Sequence, residues 1–374
     1  MTTTAPRSLR VGVLGCTGMV GQRFVQLLCR PGQPHPWFVL TGLGASERSA
    51  GLQYGAASRH WTLPTPCPAH VAAMTMRPCD PASFTDCDLV FSALDSSIAG
   101  TVESAFAAAG IPVFSNSKNH RMDENVPLVV PLVNPEHLHL VAAQQREGKS
   151  KGFIVCNPNC SSTGLVVVLR ALDAAFGLES FIVTTMQAVS GAGYPGVSSL
   201  DILDNVIPYI SGEEDKLETE PSKILGTLKP DHSGIHPLPI KASAMCNRVA
   251  VIDGHTECLS VRIRQRDVTS AQVQAVLENC ALPRPSTCSV AHLPTLGENF
   301  KPLVAFPETQ HDRPQPRLDR DLGGGFTVSV GRVRPCPILD FKMVLLSHNT
   351  IIGAAGGALL NAELAVAMNL ISAQ

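Results

Sequence analysis

The sequence has few aromatic and few charged side chains: two tryptophans, three tyrosines, and only 16% of its 374 residues are Asp, Glu, Lys or Arg. That charge divides into 29 basic and 31 acidic residues for a net −2, and no basic block is long enough to follow a phosphate backbone. A nucleic-acid partner is therefore not expected. Long apolar runs are missing too. The most apolar stretch, 351–360, is interrupted by three glycines and falls well short of the ~20 residues that cross a bilayer, so no membrane association is expected. The first ten residues carry Arg7 and Arg10 without an apolar run, which fits neither a signal peptide nor a long transit peptide and gives the expectation of a cytoplasmic protein.

There is no CxxC pair among the twelve cysteines, and many of them lie in apolar stretches, as Cys87 does in TDCDLVFSAL. Reduced, mostly core thiols are expected in place of a disulfide framework. The histidines show no metal spacing beyond His137 and His139, which are expected on a loop after Pro135, so no metal is expected. What the chain does have is apolar surface, at 44% hydrophobic residues, and enough length for two or three domains.

From Leu9 the pattern is an apolar strand, a glycine-rich turn and MVGQRFVQLL with helical spacing. Further strands are expected in WFVLTGLG, in DLVFSAL (88–94) and in IPVFSN (111–116), with a helix over Ser96 to Ala109 between the last two. Strand and helix in alternation predict a doubly wound, Rossmann-like parallel sheet with ligands at the carboxyl ends of its strands. After Lys149 the character changes. FIVTTMQAVS, HTECLSVRIRQ and FTVSVGRVR alternate apolar and polar residues, which predicts an α+β domain with a mostly antiparallel sheet covered on one face. Pro294 to Gly325 is expected as a surface excursion, and HNTIIGAAGGALLNAELAVAMNLI as a helix returning to the first domain. The domains expected are 1–156, completed by 349–374, and 157–348.

Gly12, Gly15, Gly18 and Gly21, spaced by threes through the first strand-to-helix turn, present free backbone N–H groups and a positive helix end to a dinucleotide pyrophosphate. The second strand ends in Gly42-Leu43-Gly44-Ala45-Ser46, without the acidic residue that accepts from a ribose 2′-hydroxyl. Ser46, Arg48 and Ser49 instead suit a 2′-phosphate, with Glu47 among them as the complication and a plain exposed loop arginine as the alternative, and NADP is the expected cofactor.

Cys160 lies in Asn157-Pro158-Asn159-Cys160-Ser161-Ser162, between a strand and a helix expected to start near Ser161 or Ser162. A helix N-terminus favours the thiolate and offers N–H groups to an oxyanion. From position alone Cys160 is either a nucleophile or a buried structural thiol. His255, just before a strand and seven residues after Arg248, stands out as a base, although a lone histidine is more often an ordinary surface one.

These pieces together resemble the aspartate-β-semialdehyde dehydrogenase family, in its fungal and archaeal-like branch. The resemblance runs in order through GVLGCTGMVGQRF, LGASERSAG, SNSKNHRM, VPLVVPLVNPEH, NPNCSSTG, MQAVSGAGYPG, NVIPYISGEEDK, NRVAVIDGHTE and SHNTIIGAAGGALLNAE, and covers almost the whole chain. It implies reversible reductive dephosphorylation of L-aspartyl-4-phosphate by NADPH, with Cys160 as nucleophile, His255 as acid/base and Gln187 orienting the acyl intermediate. The pathway implied leads to threonine, methionine and isoleucine, and to lysine in some organisms.

The resemblance further implies Arg248 at the α-carboxylate, Glu213 (or Glu214) at the α-ammonium, Lys216 and Arg121 at phosphate, and Asn159 beside the substrate. For the cofactor it implies Gly15, Thr17, Gly18, Met19 and Val20 at the pyrophosphate, and Ser46, Arg48 and Ser49 at the ribose phosphate. Ser92 and Ala93 lie along the dinucleotide, with Ser190, Gly191, Asn349 and Thr350 near the nicotinamide. The role of Lys118 is open. The assembly implied is a homodimer or homotetramer. Malonyl-CoA reductase shares the cysteine and NADPH but gives Glu213 no ammonium, and a non-catalytic NADP sensor has no need of Cys160, Gln187, Arg248 and His255 together.

Overall fold

A computed structural model describes residues 8–57, 61–283 and 290–371. Arg7 and residues 372–374 of the expected C-terminal helix lie outside them. The first sheet is built from β1 (Leu9–Leu14), β2 (Phe38–Ala45), β3 (Arg77–Pro78), β4 (Leu89–Ser92), β5 (Val113–Ser115) and β6 (Ile154–Cys156), in the order β3-β2-β1-β4-β5-β6. Every pairing is parallel. The order reverses between β1 and β4, and the loops after β1, β4, β5 and β6 meet at that crevice. The strands are buried on both faces, which is why they read as continuous apolar runs.

β7 (Leu178–Gln187), the two-residue β8 (Thr227–Leu228) and β9 (Ile235–His236), β10 (Lys241–Arg248), β11 (His255–Ile263), β12 (Leu303–Ala305), β13 (Val328–Pro335) and β14 (Phe341–Ser347) follow. The second sheet runs β10-β7-β11-β14-β13-β12. Its three inner pairings are antiparallel, and the two edge strands, β10 and β12, pair parallel. One face is covered by the helices Cys160–Phe176, Glu213–Ile224 and Ser270–Glu278. On the other, Ile182, Met245 and Cys258 are exposed, so the alternation seen in the sequence is buried-in and open-out.

Several expectations need correction. The excursion 294–325 is not wholly superficial: it contains β12, which extends the sheet, and Asp319, which is buried and held by Arg313. His137 is not on a loop but in a short 3-10 turn, Pro135–Leu140, where Nδ1 accepts from Asn134 and Nε2 donates to the Gly226 carbonyl. The C-terminal helix proper begins only at Gly356, after an irregular turn over Ile351–Ala355. The break has a cause: the Ala354 carbonyl turns aside to accept from Asn157, and a Cβ on Gly353 would stand 3.0 Å from that of Cys160. The helix then packs against β5 and the first helix, Met19–Leu28. All eleven described cysteines are unpaired, and among the described residues no helix is long and apolar enough to cross a membrane.

Candidate active site

β6 ends at Cys156, and the polar turn Asn157-Pro158-Asn159 sends the chain directly into a helix that starts at Cys160, one or two residues earlier than expected. Asn159 caps that helix, accepting from the amides of Ser161 (2.9 Å) and Ser162 (3.4 Å), while its own amide donates to Glu220. On the second sheet, Gln187 pairs with Arg248 in register and His255 opens β11, so all three stand at the same sheet end beside the Cys160 helix.

Cys160 Sγ and His255 Nε2 are 3.1 Å apart. His255 Nδ1 accepts from the Ala188 amide at 3.0 Å, which leaves the ring proton on Nε2, directed at the sulfur. Burial, and then the Glu213 carboxylate, push the thiol up to about 12, against the pull of Arg248, Arg121 and Lys216. Burial, followed by Arg248, brings His255 down to about 3. The expectation that the helix end makes a thiolate is therefore corrected for the free site: desolvation outweighs the helix terminus, and thiol and imidazole are both neutral.

Around this pair, Glu213 accepts from Asn159 (2.8 Å), Gln187 (3.2 Å) and Lys216 (2.6 Å). Burial raises its carboxyl, but Lys216 and the amide donors bring the net shift below the ordinary range. Glu214 points elsewhere, accepting from the Cys246 amide. Arg121 donates to Glu220 (2.8 Å) and to the Asn116 carbonyl, leaving Nε buried without a partner. Arg248 donates to the Ala188 carbonyl, and a Cβ on Gly191 would come within 2.7 Å of its guanidinium.

A cleft of about 630 Å³ joins Cys160, Glu213, Lys216 and Arg121 to Gly18, Met19 and Val20 at the head of the first helix. Ala93, Ser190, Gly191, Asn349, Thr350 and the exposed Lys118 also line it. The loop is shaped for close approach. Gly15 has φ +72 and a Cβ there would strike the Ala93 carbonyl, while one on Gly18 would make only ordinary contact, 3.5 Å, with the Gly15 carbonyl. Thr17 is half-buried beside them, its carbonyl accepting from Gln22. These residues fit a dinucleotide. Asn349 donates to Ser190 Oγ and accepts from the Gly254 amide, fixing its amide at the cleft wall. Ser46, Arg48 and Ser49 lie in the turn just beyond β2, outside this cleft. Ser92 is a correction: its hydroxyl is fully buried and donates to Glu103, away from the cleft. Reading the sequence missed Glu103, which also accepts from Ser115, and Glu220; the signal for Glu220 was its seven-residue spacing from Glu213 with Leu217 between.

The model for the semialdehyde dehydrogenase NAD binding domain matches residues 10–141, and that for the semialdehyde dehydrogenase dimerisation domain matches 169–352. The chain is 51% identical to the aspartate-semialdehyde dehydrogenase of Cryptococcus neoformans, covering 98% of this chain and 100% of the relative. The chain belongs to the aspartate-semialdehyde dehydrogenase family. The family member from Archaeoglobus fulgidus is 48% identical over 96% of this chain and 99% of its own length. A crystal structure of the Candida albicans aspartate semialdehyde dehydrogenase with NADP superposes with a TM-score of 0.86 at 45% identity, covering 98% of this chain and all of that one.

Proposed function

We propose that the protein reduces L-aspartyl-4-phosphate reversibly to L-aspartate 4-semialdehyde and phosphate with NADPH, through a thioester on Cys160, in the aspartate pathway to threonine, methionine and isoleucine. The observation that carries this reading is the 3.1 Å contact between Cys160 and His255 at the floor of a cleft that begins at the glycine loop.

Arg248 meets the substrate α-carboxylate, and Glu213 its α-ammonium. That pairing has a consequence at the sulfur. The Glu213 carboxylate opposes the thiolate in the free site, so neutralising it by the substrate ammonium favours ionisation of Cys160 when substrate is present. The thiolate forms the S–C bond as the acyl C–O bond breaks. The electron pair leaves with phosphate, between Arg121 and Lys216, and the phosphate takes up, through solvent, the proton that Cys160 released on ionising. The cofactor would be held by Gly15, Thr17, Gly18, Met19, Val20, Ser46, Arg48, Ser49, Ala93, Ser190, Gly191, Asn349 and Thr350, and would supply the hydride that reduces the acyl carbon. When the aldehyde departs, the S–C pair returns to Cys160 as a thiolate, which the His255 Nε2–H group faces as a hydrogen-bond donor and which takes up a proton from solvent. Gln187 and Asn159 hold Glu213 in place through this cycle.

In this reading residues 1–156 with the C-terminal helix form the cofactor half and 157–348 the catalytic half, in a cytoplasmic enzyme. The open face bearing Ile182, Met245 and Cys258 is where a second copy packs to form the dimer, alone or within a tetramer. The experiment is phosphate-dependent formation of NADPH from L-aspartate semialdehyde, followed by absorbance with NAD run beside NADP. Turnover that needs phosphate and prefers NADP is expected. Folded, reduced protein that turns over neither cofactor overturns the reading.

A further inference from the structure

Arg23 lies on the first helix, one turn beyond Met19 and Val20, which line the cleft. It is 7% exposed. Its Nη1 donates to Gln26 (2.7 Å), its Nη2 stands 3.8 Å from Asp253 Oδ2, and its Nε has no partner. The other carboxylate oxygen, Asp253 Oδ1, is likewise buried and unpartnered. Two opposite charges thus face each other across a gap slightly too long for a hydrogen bond, each with one polar atom unused. Buried groups are rarely left so, and closing the gap would satisfy both atoms with a two-pronged bridge.

Asp253 sits two residues before His255, in the turn that leads into β11. The same turn carries site residues. Val251 and Ile252 accept from the amides of Val189 and Ser190, and the Gly254 amide donates to Asn349, which in turn donates to Ser190. Arg320 donates to the Asp253 carbonyl, and Asp321 stands 3.7 Å from both Arg320 and His348. Motion of Asp253 therefore reaches His255, Ser190 and Asn349 together, while Gln22, next to Arg23, is bonded to the Thr17 carbonyl in the glycine loop.

We propose that Arg23 is a positioning residue that, through Asp253, couples the helix behind the dinucleotide loop to the turn that aims His255. The coupling rests on the reading of Cys160, His255 and NADP given above. Occupation of the loop draws Arg23 and Asp253 together and holds the imidazole where it stands, 3.1 Å from the sulfur.

The test uses the whole chain and two readouts. The first is the rate of Cys160 alkylation by iodoacetamide with and without saturating 2′-phospho-ADP-ribose, which fills the loop without placing a nicotinamide over the thiol; the second is kcat and KM for semialdehyde and NADP. In the wild type this probe is expected to change the alkylation rate severalfold. In Arg23→Met and Asp253→Asn that response is lost, the NADP Kd weakens by no more than the same factor, and kcat falls by about tenfold with the semialdehyde KM held. Arg23→Lys restores part of both. The two single changes act as one in the double variant. A response that survives in Arg23→Met overturns the coupling, as does a fall in kcat seen only alongside a lost melting temperature. Should the wild type turn over no semialdehyde, the alkylation response still decides the coupling, and only the reaction reading fails.

Discussion

The Ala188 amide donates to His255 Nδ1 at 3.0 Å, and this bond decides what the imidazole can do. With Nδ1 occupied as an acceptor, the neutral ring carries its proton on Nε2, 3.1 Å from Cys160 Sγ. The ring is therefore set as a donor to the sulfur, and taking a second proton would place two N–H groups against each other at Nδ1. Burial works in the same direction, bringing the imidazole down to about 3.

The free thiol, pushed up to about 12, should show an alkylation rate that climbs through neutral pH without levelling. Iodoacetamide incorporation at Cys160, corrected with Cys160→Ser because Cys258 is exposed, is expected to rise by about tenfold per unit between about pH 7 and pH 9. Glu213→Gln removes the charge that opposes the thiolate, so it should speed alkylation of the free enzyme while lowering turnover. A plateau already present at neutral pH would show a preformed thiolate.

Lys216 stands 2.6 Å from Glu213 and reaches the cleft beside Arg121. Lys216→Ala should raise the Michaelis constant for phosphate by roughly tenfold or more, the loss of one charge-assisted contact, and leave that for NADP nearly unchanged. Equal changes in both constants would remove the case for phosphate there.

Glu220 joins two parts of the site, accepting from Arg121 and from the Asn159 amide with different oxygens. In Glu220→Gln one of these acceptors becomes a donor and a buried guanidinium loses its counter-charge. A stability loss of about 3 kcal/mol is expected from urea unfolding, together with a higher phosphate Michaelis constant. Unchanged stability would mean that water already compensates Arg121.

How much of this was legible in the sequence follows from what each signal measures. The glycine loop and NPNC turn were readable because local geometry alone demands those residues, and the alternating strands because one face is open. Ser92 was misread because β4 is buried on both faces, so alternation could not show that its hydroxyl turns to Glu103. Glu213, Glu214 and Glu220 look alike in a charge run. Only the packed helix separates two cleft-side carboxylates from one that binds the Cys246 amide. The partnership of Arg23 with Asp253 spans domains and leaves no trace in spacing, and β12 is too short to stand out from the prolines around it.

The cysteines give the protein an alkaline limit. Burial raises the thiols of Cys16 and Cys156, pushes Cys160 up to about 12, and lifts Cys87 and Cys246 to about 11. Each native pKa lies above the unfolded value of about 8.5, so the stability these thiols contribute is fully present below that pH. As pH rises past it, the unfolded chain releases protons that the native state keeps, and unfolding is favoured by about 1.4 kcal/mol per unit for each thiol. Lys223, brought down to about 8 by burial, works the other way between there and its ordinary value, but as one group against those five and Cys29, which burial lifts to about 11. The urea midpoint should therefore hold from about pH 7 to pH 8 and fall steeply between about pH 9 and pH 10.5. A midpoint that stays level to about pH 10.5 would mean the thiols ionise in the folded protein as easily as in the unfolded chain, against the burial of Cys16, Cys87, Cys156 and Cys246.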